Sequence, residues 1–391
     1  MATILLVIIY IASISLGLPD SLLGAAWPSM YQDLECSLSW AGMISMVISA
    51  GTIVSTLHSH RLIQKFGTGT VTVASVALTA LALMGFSMSR DFWHLCLWAV
   101  PYGLGAGCVD VALNSYVALH YKSRHMSWLH CLWGVGAAIG PVIMGKCLMG
   151  GLNWTGGYQI TGILQIILTT VLFCALPFWE KTDHTLDGGW HRNRDMTFRE
   201  ILSLPGAKSV MTSFFCYGAL EITAGLWAGS YMVLFKGISA QQAAFWTSLF
   251  YLGIMAGRFL MGFAADRLGD RNMIRLGQVL ALAGIICLIL PAYRAFWMEG
   301  LVLMGMGFAP IYPGLLHSIP KQFGEERAQA IMSIQIVCAH AGSILMPPLF
   351  GVLAEWFSVR LFPWYLLFLL GMMIFTAERA NRRMQSGGVL E

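Results

Sequence analysis

Apolar residues run along this chain in long, almost uninterrupted blocks separated by short polar stretches. Each block is about as long as the ~20 residues that an α-helix needs to cross the hydrocarbon core of a bilayer. The blocks therefore predict twelve membrane-spanning helices. The predicted spans are residues 2–32, 37–60, 68–88, 92–120, 126–149, 156–178, 208–234, 240–264, 272–291, 295–319, 328–354 and 360–381.

Continuous apolarity also excludes a membrane β-barrel, whose strands alternate apolar and polar residues. The composition agrees, because 57% of the 391 residues are hydrophobic and only 11% are charged, far too apolar for a water-soluble domain. We therefore expect an all-α integral membrane protein. The N-terminal apolar run has no Lys or Arg before it and no small-residue cleavage pattern after it, so we expect a first span rather than a signal peptide.

Positively charged residues are distributed unevenly among the polar stretches. If both termini are cytoplasmic, most Lys and Arg residues fall on the inside. The outside loops then hold only Arg90, Lys146, Lys236, Arg294 and Arg360. The positive-inside rule favours this topology, so we expect a multi-pass protein of the cell (inner or plasma) membrane with cytoplasmic termini. The net charge of +4 reflects this topology and gives no reason to expect a nucleic-acid partner.

One long polar stretch, residues 180–208, divides the spans into two groups of six. Shifting the first group by 206 positions aligns identical residues in corresponding spans, and such internal repeats are common in transporters. The aligned pairs include Gly51 with Gly257, Arg61 with Arg267, Gly136 with Gly342, Pro141 with Pro347 and Gly145 with Gly351. We predict two pseudo-symmetric six-helix bundles, residues 1–179 and 208–391, joined by a cytoplasmic linker at 180–207.

The loop after the eighth span reads GFAADRLGDRNMI. It resembles the conserved loop of the major facilitator superfamily, G-x-x-x-D-R-x-G-R-R, with Gly262, Asp266, Arg267 and Gly269 in place and Asp270 where the pattern has its first basic residue. The resemblance covers the whole chain. It implies the major facilitator fold, alternating access, a monomer that suffices for transport, and a gating role for the four matching residues.

More narrowly, five stretches are similar to the fucose–proton symporter branch and its sodium–glucose relatives. They are LPDSLLGAAWP in span 1, GLGAGCVDVALN in span 4, WLHCLWGVGAAIGP in span 5, YGALEITAGLW in span 7 and GFAPIYPGLL in span 10. Spans 1, 4, 7 and 10 line the central cavity in that superfamily. The resemblance therefore places the polar residues of these four spans in the cavity.

Asp20 lies near the middle of span 1, in the stretch GLPDSLLGAAWPSM. An ionised group at the bilayer centre is costly, so such residues usually face a partner or a water-filled cavity. Pro19 and Pro28 should kink the helix and leave carbonyls free to line that cavity. Asp20 shares one helical face with Trp27 and Tyr31, which predicts a substrate path along this face. The alternative is a structural acid satisfied by neighbouring helices.

Span 7 repeats the pattern, with Glu221 followed by Trp227 and Tyr231. We expect Glu221 to contribute to proton coupling and the two aromatic residues to contact the substrate. The alternative for the tryptophans is an anchoring role at the membrane interface.

Asp110 and Asn114 lie one helical turn apart in span 4, and His130 lies at a similar depth in span 5. An Asp and a His that meet there would form a proton relay or an inner gate. A hydrogen bond that only holds the helices together is an equal alternative. Trp246 and Gln335 complete the predicted substrate-binding set.

Other chemistries lack their motifs. No Walker sequence, metalloprotease sequence or Ser-His-Asp arrangement is present, which argues against an ATP-driven pump and an enzyme. The cysteines are scattered singly, without metal-ligand spacing, so we expect neither a cofactor nor a metal. We expect Arg258 to pair with the nearby loop or the lipid interface, with a role in coupling as the alternative, and we find no central cation for a carboxylic-acid substrate.

These observations predict proton-coupled uptake of a small neutral polar solute, most simply a sugar, with Asp20 as the main proton carrier. A carboxylate in a half-dry cavity can bind a proton near neutral pH and release it when the cavity rehydrates. Two alternatives remain open: a proton-driven exporter of amphipathic or cationic compounds, and a sodium-coupled sugar transporter.

Overall fold

The computed structural model describes residues 2–121, 123–179, 198–291 and 293–386, and these ranges are helical with no strand. Twelve spans cross the molecule within them. Their bounds are Ala2–Asp20 with Leu22–Asp33 (span 1), Trp40–Phe66 (2), Thr68–Met88 (3), Phe92–His120 (4), Ser123–Met149 (5), Asn153–Cys174 (6), Ala207–Leu234 (7), Ala240–Ile289 (8 and 9), Arg294–Phe308 with Ile311–His317 and Ile319–Phe323 (10), Glu325–Trp356 (11) and Phe362–Ser386 (12).

Eleven of these spans, within the described ranges, are long and apolar enough to cross a membrane. Span 7 is the exception. Most of its residues are buried against other helices, and it carries Glu221 among several serines, threonines and glycines. A helix enclosed by protein does not need the apolar surface that lipid demands. Span 7 therefore lies at the centre of the bundle.

Three boundaries differ from those predicted. Spans 8 and 9 are two helices that meet at Gly269 instead of being separated by a longer loop, and the φ of 70° at Gly269 is a backbone conformation that favours glycine. Span 10 is divided at Pro310 and Ser318. Residues 180–197 of the predicted linker lie outside the described ranges, and the remainder contains a short helix, Phe198–Ser203.

The predicted kink in span 1 is confirmed, because the helix ends at Asp20 and a new helix begins at Leu22. Pro19 has no amide hydrogen, so the carbonyl of Ser15 loses its usual helical partner. The side-chain amide of Gln165, in span 6, donates to that carbonyl at 2.7 Å. The Ser15 hydroxyl also bonds to the side chain of Gln165. This replacement hydrogen bond lets the helix break inside the bundle without an orphaned backbone group.

Glycines allow equivalent helices of the two halves to pack in the same way. A Cβ at Gly136, in span 5, would overlap the carbonyl of Ile14 in span 1, and a Cβ at Gly342, in span 11, would overlap the carbonyl of Phe215 in span 7. Small residues of this kind are what bring membrane helices into backbone contact. The internal repeat in the sequence thus corresponds to a repeat in packing.

The two groups of six spans meet closely at one end of the molecule. Gly24 lies against the carbonyl of Gly225, and Gly42 lies against the backbone of Pro348. The backbone amide of Ser39 also donates to Glu355 at 3.4 Å. We call this the sealed end; it holds the loops that follow spans 1, 3, 5, 7, 9 and 11.

The opposite end, where the first and last described helices begin and end, at Ala2 and Ser386, is the open end. Asp20 lies at the break of span 1, and Asp110 and His130 lie within long helices, yet the side chains of all three are exposed. Asp20 is also within electrostatic range of Asp110, and Asp110 of Arg258 across the bundle. Since the sealed end is closed above Asp20, solvent reaches these residues from the open end. The space between the halves is the central cleft.

Replacing Gly24 by Ala is expected to open the sealed end, because the added Cβ would overlap the Gly225 carbonyl. Spin labels on two exposed loop residues of the sealed end, Arg90 and Phe357, would report this opening as a longer distance in pulsed dipolar spectroscopy. The nine native cysteines would first be replaced.

The matched control is Gly371→Ala. Gly371 lies within span 12, and a Cβ there meets no atom within 4 Å. Its distance distribution is expected to stay that of the parent protein. Equal distributions for Gly24→Ala and Gly371→Ala would contradict the role assigned to the glycine contact.

Candidate functional site

Asp20 lies at the break of span 1, with its two carboxylate oxygens engaged by two different helices. The hydroxyl of Tyr102, in span 4, donates to Oδ1 at 2.8 Å, and the indole nitrogen of Trp133, in span 5, donates to Oδ2 at 2.9 Å. Both donors are neutral, and no ion pair to Asp20 occurs among the described residues. The carboxylate is thus positioned by hydrogen bonds while its charge remains uncompensated.

Asp110 and Asn114 are paired as their spacing predicts, with the Asn114 amide donating to Asp110 Oδ1 at 3.0 Å. The other amide atom, Asn114 Oδ1, is buried and has no partner among the described residues. His130 is exposed in the same half of the molecule, but no hydrogen bond joins its ring to Asp110 among the described contacts. The structure thus shows the hydrogen-bonded pair and not the predicted Asp–His relay.

Glu221 has a cationic partner, Arg258 of span 8. The guanidinium Nη2 lies 3.8 Å from Glu221 Oε1, and the two side chains are 22% and 17% exposed. Tyr217, one helical turn before Glu221, also interacts with that carboxylate. The distance is long for an ion pair, so the guanidinium keeps donors available for other contacts.

Arg258 also contacts the other half of the molecule. Its guanidinium carbon lies 5.0 Å from the centre of the Trp133 ring, a cation–π distance. Its Nη1 donates to the backbone carbonyl of His130 at 3.4 Å. The prediction that Arg258 pairs with a loop or lipid is therefore wrong, and so is the inference that the cleft holds no cation. Its position inside an apolar span was the signal that pointed to function.

Trp27 and Trp227 do not line the cleft. Each has no exposed surface, and each indole nitrogen already donates to a backbone carbonyl, of Leu38 at 2.8 Å and of Pro347 at 3.0 Å. A fully buried ring cannot touch a solute in this conformation. The structure corrects the prediction: both tryptophans pack the sealed end of the bundle.

The remaining predicted binding residues also lie away from the cleft. Tyr231 is buried and its hydroxyl donates to Leu288 at 3.0 Å, while Tyr31 lies at the sealed end beside Gln32. Trp246 belongs to the hydrophobic core. Gln335 has no exposed surface, and its amide has no partner among the described residues. The residues that do surround Asp20 and Glu221 were not predicted; they are Tyr102, Trp133, Tyr217, Tyr251, Arg258 and Tyr312.

The predicted gating loop is only partly described. The side chains of Gly262, Asp266 and Arg267 lie outside the described residues, and Gly269 marks the break between spans 8 and 9. Asp270, the departure from the family pattern, accepts from Lys321 at 3.0 Å and lies 2.9 Å from Nδ1 of His317. Asp270 therefore ties this loop to the end of span 10.

Two six-helix groups around a polar central cleft define a membrane transporter of the alternating-access type. The chain belongs to the Major Facilitator Superfamily, whose family model matches residues 9–236 and 210–381. Similar proteins include "Bypass of stop codon protein 6" of Saccharomyces cerevisiae, 22% identical over 93% of this chain and 79% of that protein. "Uncharacterized transporter y4wD" of Sinorhizobium fredii is 26% identical over 82% of this chain and 83% of that protein.

Solved structures show the same fold. A crystal structure of a mutant of the nucleoside transporter NupG matches with a TM-score of 0.79 at 13% identity, covering 96% of this chain and 98% of that one. A bacterial homologue of the human lysosomal transporter Spinster, in an inward-facing and unoccupied conformation, matches with a TM-score of 0.76 at 12% identity, covering 98% and 97%. At these identities the likeness concerns the fold alone. The superfamily resemblance read from the sequence is thus confirmed, and its narrower branch stays a prediction.

Neutralising either partner of the Glu221–Arg258 pair is expected to destabilise the protein, because the other partner keeps an uncompensated charge inside the bundle. In a double-mutant cycle of Glu221→Gln and Arg258→Gln we expect a coupling energy of about 1 kcal/mol, since both side chains are partly exposed. Thermal unfolding of the purified variants measures it.

A second ion pair serves as the control. Arg275 and Glu378 are joined at 2.7 Å at the open end, away from the cleft, so adding Arg275→Gln to every member of the cycle is expected to leave the coupling energy between Glu221 and Arg258 unchanged. Additive destabilisation by the two cleft substitutions would show that Glu221 and Arg258 do not interact.

Proposed function

We propose that this transporter couples the movement of a small neutral polar solute, such as a sugar, to protons, and that Asp20 carries the coupled proton. The state of Asp20 carries the proposal. It is a carboxylate in the middle of the bundle, reached by solvent, and within the described part of the chain its hydrogen-bond donors are the neutral groups of Tyr102 and Trp133.

The charge balance of the cleft supports proton binding. Glu221 is compensated by Arg258, whereas Asp20 and Asp110 lie within electrostatic range of each other. Arg258 also acts on Asp110 at longer range, but neither carboxylate forms an ion pair among the described residues. Two neighbouring carboxylates without an ion-pair partner favour the uptake of a proton, because protonation removes their mutual repulsion. Proton release requires a change in solvation or in partners, which alternating access supplies.

A neutral, hydroxyl-rich solute fits the lining of the cleft better than an anion does. The cation that a carboxylic-acid substrate would need is already paired with Glu221. The hydroxyl of Tyr312 and the side-chain amide of Asn114, both half-buried, offer donors and acceptors. Sugars and the ribose of nucleosides have matching groups, and one protein of similar fold is named a nucleoside transporter. The solute panel therefore includes both.

The topology follows from the charge pattern. The positive-inside rule favours a cytoplasmic location for the open end, which supports an inward-facing conformation of a cell-membrane protein. One chain supplies both walls of the cleft, which supports a monomeric transporter. The proposed division remains residues 1–179 and 208–391 with a linker at 180–207.

Replacing Asp20 by Asn is expected to abolish uphill accumulation and to leave solute exchange intact. The amide cannot take up or release a proton, but exchange needs only the loaded carrier to reorient. Proteoliposomes containing the purified full chain would be tested with a panel of hexoses, pentoses and nucleosides. An inward proton gradient drives accumulation in one assay, and counterflow without a gradient measures exchange in the other.

Asp33→Asn is the matched control. Asp33 also lies in span 1 and also accepts an indole N–H, from Trp154 at 2.9 Å, but it lies at the sealed end. Its accumulation is expected to equal that of the parent protein. Normal accumulation by Asp20→Asn would refute the proton role of Asp20. Accumulation that follows a sodium gradient would favour sodium coupling, and proton-driven efflux of lipophilic cations would favour the exporter.

A further inference from the structure

Trp133 touches both the proposed proton carrier and the cation of the opposite half. Its indole nitrogen donates to Asp20 at 2.9 Å, and its ring lies 5.0 Å from the guanidinium carbon of Arg258. We propose that Trp133 is a positioning residue that transmits the protonation state of Asp20 to the contact between spans 5 and 8. The proposal rests on the proposed function, because it takes Asp20 as the proton carrier.

Close backbone packing fixes the position of span 5, which carries Trp133, relative to span 1, which carries Asp20. A Cβ at Gly17, one turn before Asp20, would overlap the carbonyl oxygen of Trp133 itself. A Cβ at Gly140 would overlap the carbonyl of Leu18. Spans 1 and 5 therefore have little freedom to move relative to each other, and a change in the Asp20–Trp133 bond must be taken up by the indole side chain.

The hydrogen bond between them depends on charge. An N–H donor binds an ionised carboxylate roughly twice as strongly as a neutral carbonyl oxygen. The indole of Trp133 is therefore held firmly when Asp20 is ionised and loosely when Asp20 is protonated. A proton on Asp20 thus frees the ring on which Arg258 rests.

Arg258 is the polar connection between spans 5 and 8 within the described part of the cleft. Besides the Trp133 ring, its guanidinium reaches the carbonyl of His130 at 3.4 Å. It remains anchored to its own half by Glu221 at 3.8 Å. A loosened indole weakens the hold of Arg258 on span 5, which shifts the balance away from the conformation with the sealed end closed.

The size of this effect suits a switch. A cation–π contact in a partly desolvated site is expected to change the ratio of two conformations by about threefold to thirtyfold. This range is large enough to bias a transporter between its two states and small enough to keep both states populated.

Several other groups could contribute to a pH response. The titratable and charged groups around Asp20, Trp133 and Arg258 are Tyr102 and Asp110 from span 4, His130 from span 5, Tyr217 and Glu221 from span 7, Tyr251 from span 8 and Tyr312 from span 10. Among the described contacts, only Asp20 is hydrogen bonded to Trp133. Asp110→Asn therefore belongs in the test as a separate arm.

The experiment measures the distance between spin labels at Arg90 and Phe357 in lipid nanodiscs at acidic and at neutral pH. In the parent protein, acidification is expected to lengthen this distance, and Asp20→Asn is expected to remove the response. Trp133→Phe keeps an aromatic ring under Arg258 but has no N–H to donate. It is expected to reduce the response at least threefold.

The chain offers a matched control in Trp154, whose indole nitrogen donates to Asp33 at 2.9 Å. Trp154→Phe removes the same kind of bond between the same kinds of group, outside the cleft, and is expected to keep the parent response. Arg258→Lys keeps the charge and loses the planar face. It is expected to lose the response as well, and it decides the matter if Trp133→Phe does not fold.

The outcomes separate the two proposals. If Asp20→Asn removes the response while Trp133→Phe and Arg258→Lys keep it, the relay through Trp133 is wrong and the proton role of Asp20 stands. If Asp110→Asn removes the response and Asp20→Asn does not, or if the parent protein does not respond to pH, both the relay and the proton role of Asp20 are wrong.

Discussion

A backbone carbonyl that loses its helical partner inside a membrane must find another donor, because no lipid can supply one. Pro19 creates such a carbonyl at Ser15, and Gln165 satisfies it. The rest of the site depends on this bond. It allows span 1 to break beside Asp20, and the break turns the carboxylate towards Tyr102 and Trp133 instead of continuing the helix past them. The polar site at the centre of the bundle thus depends on a purely structural hydrogen bond, the one between Gln165 and the Ser15 carbonyl.

Charges in the cleft are divided into two kinds by their partners. Glu221 and Arg258 compensate each other across 3.8 Å, and such a pair can change partners without leaving an isolated charge in the bundle. Among the residues that the structure describes, the hydrogen-bond partners of Asp20 and Asp110 are all neutral. For such a group, taking up a proton costs less than remaining ionised when water is excluded. The same cleft thus holds an ion pair, Glu221 and Arg258, that can change partners when the conformation changes, and two acids, Asp20 and Asp110, that can take up protons.

The spans, the two groups of six, the kink of span 1 and the central acids could be predicted from the sequence, because each follows from block length, internal repetition, proline chemistry or the cost of a buried charge. The face that each helix turns towards the cleft could not be predicted from the sequence. Trp27 and Asp20 share one side of span 1, but the break at Ser21 separates them, so helical spacing no longer relates their directions. Helices that are apolar all round carry no periodic signal for their inner face. This is why Trp227 was expected in the cleft and Trp133 was missed.

Arg258 shows what a sequence-based account of a transporter needs beyond spacing. Its neighbours are Trp133 and His130 from span 5 and Glu221 from span 7, and none is close to it along the chain. The glycine contacts of the sealed end, at Gly24 and Gly42, involve no charged group, so their strength does not change with pH. The contacts of Arg258 depend on charge, and the charge of the carboxylate one side chain away can change. Alternating access requires both kinds of contact. The glycine contacts of the sealed end pack well whenever that end closes, and the polar contacts of Arg258 change in strength with what the cleft has bound.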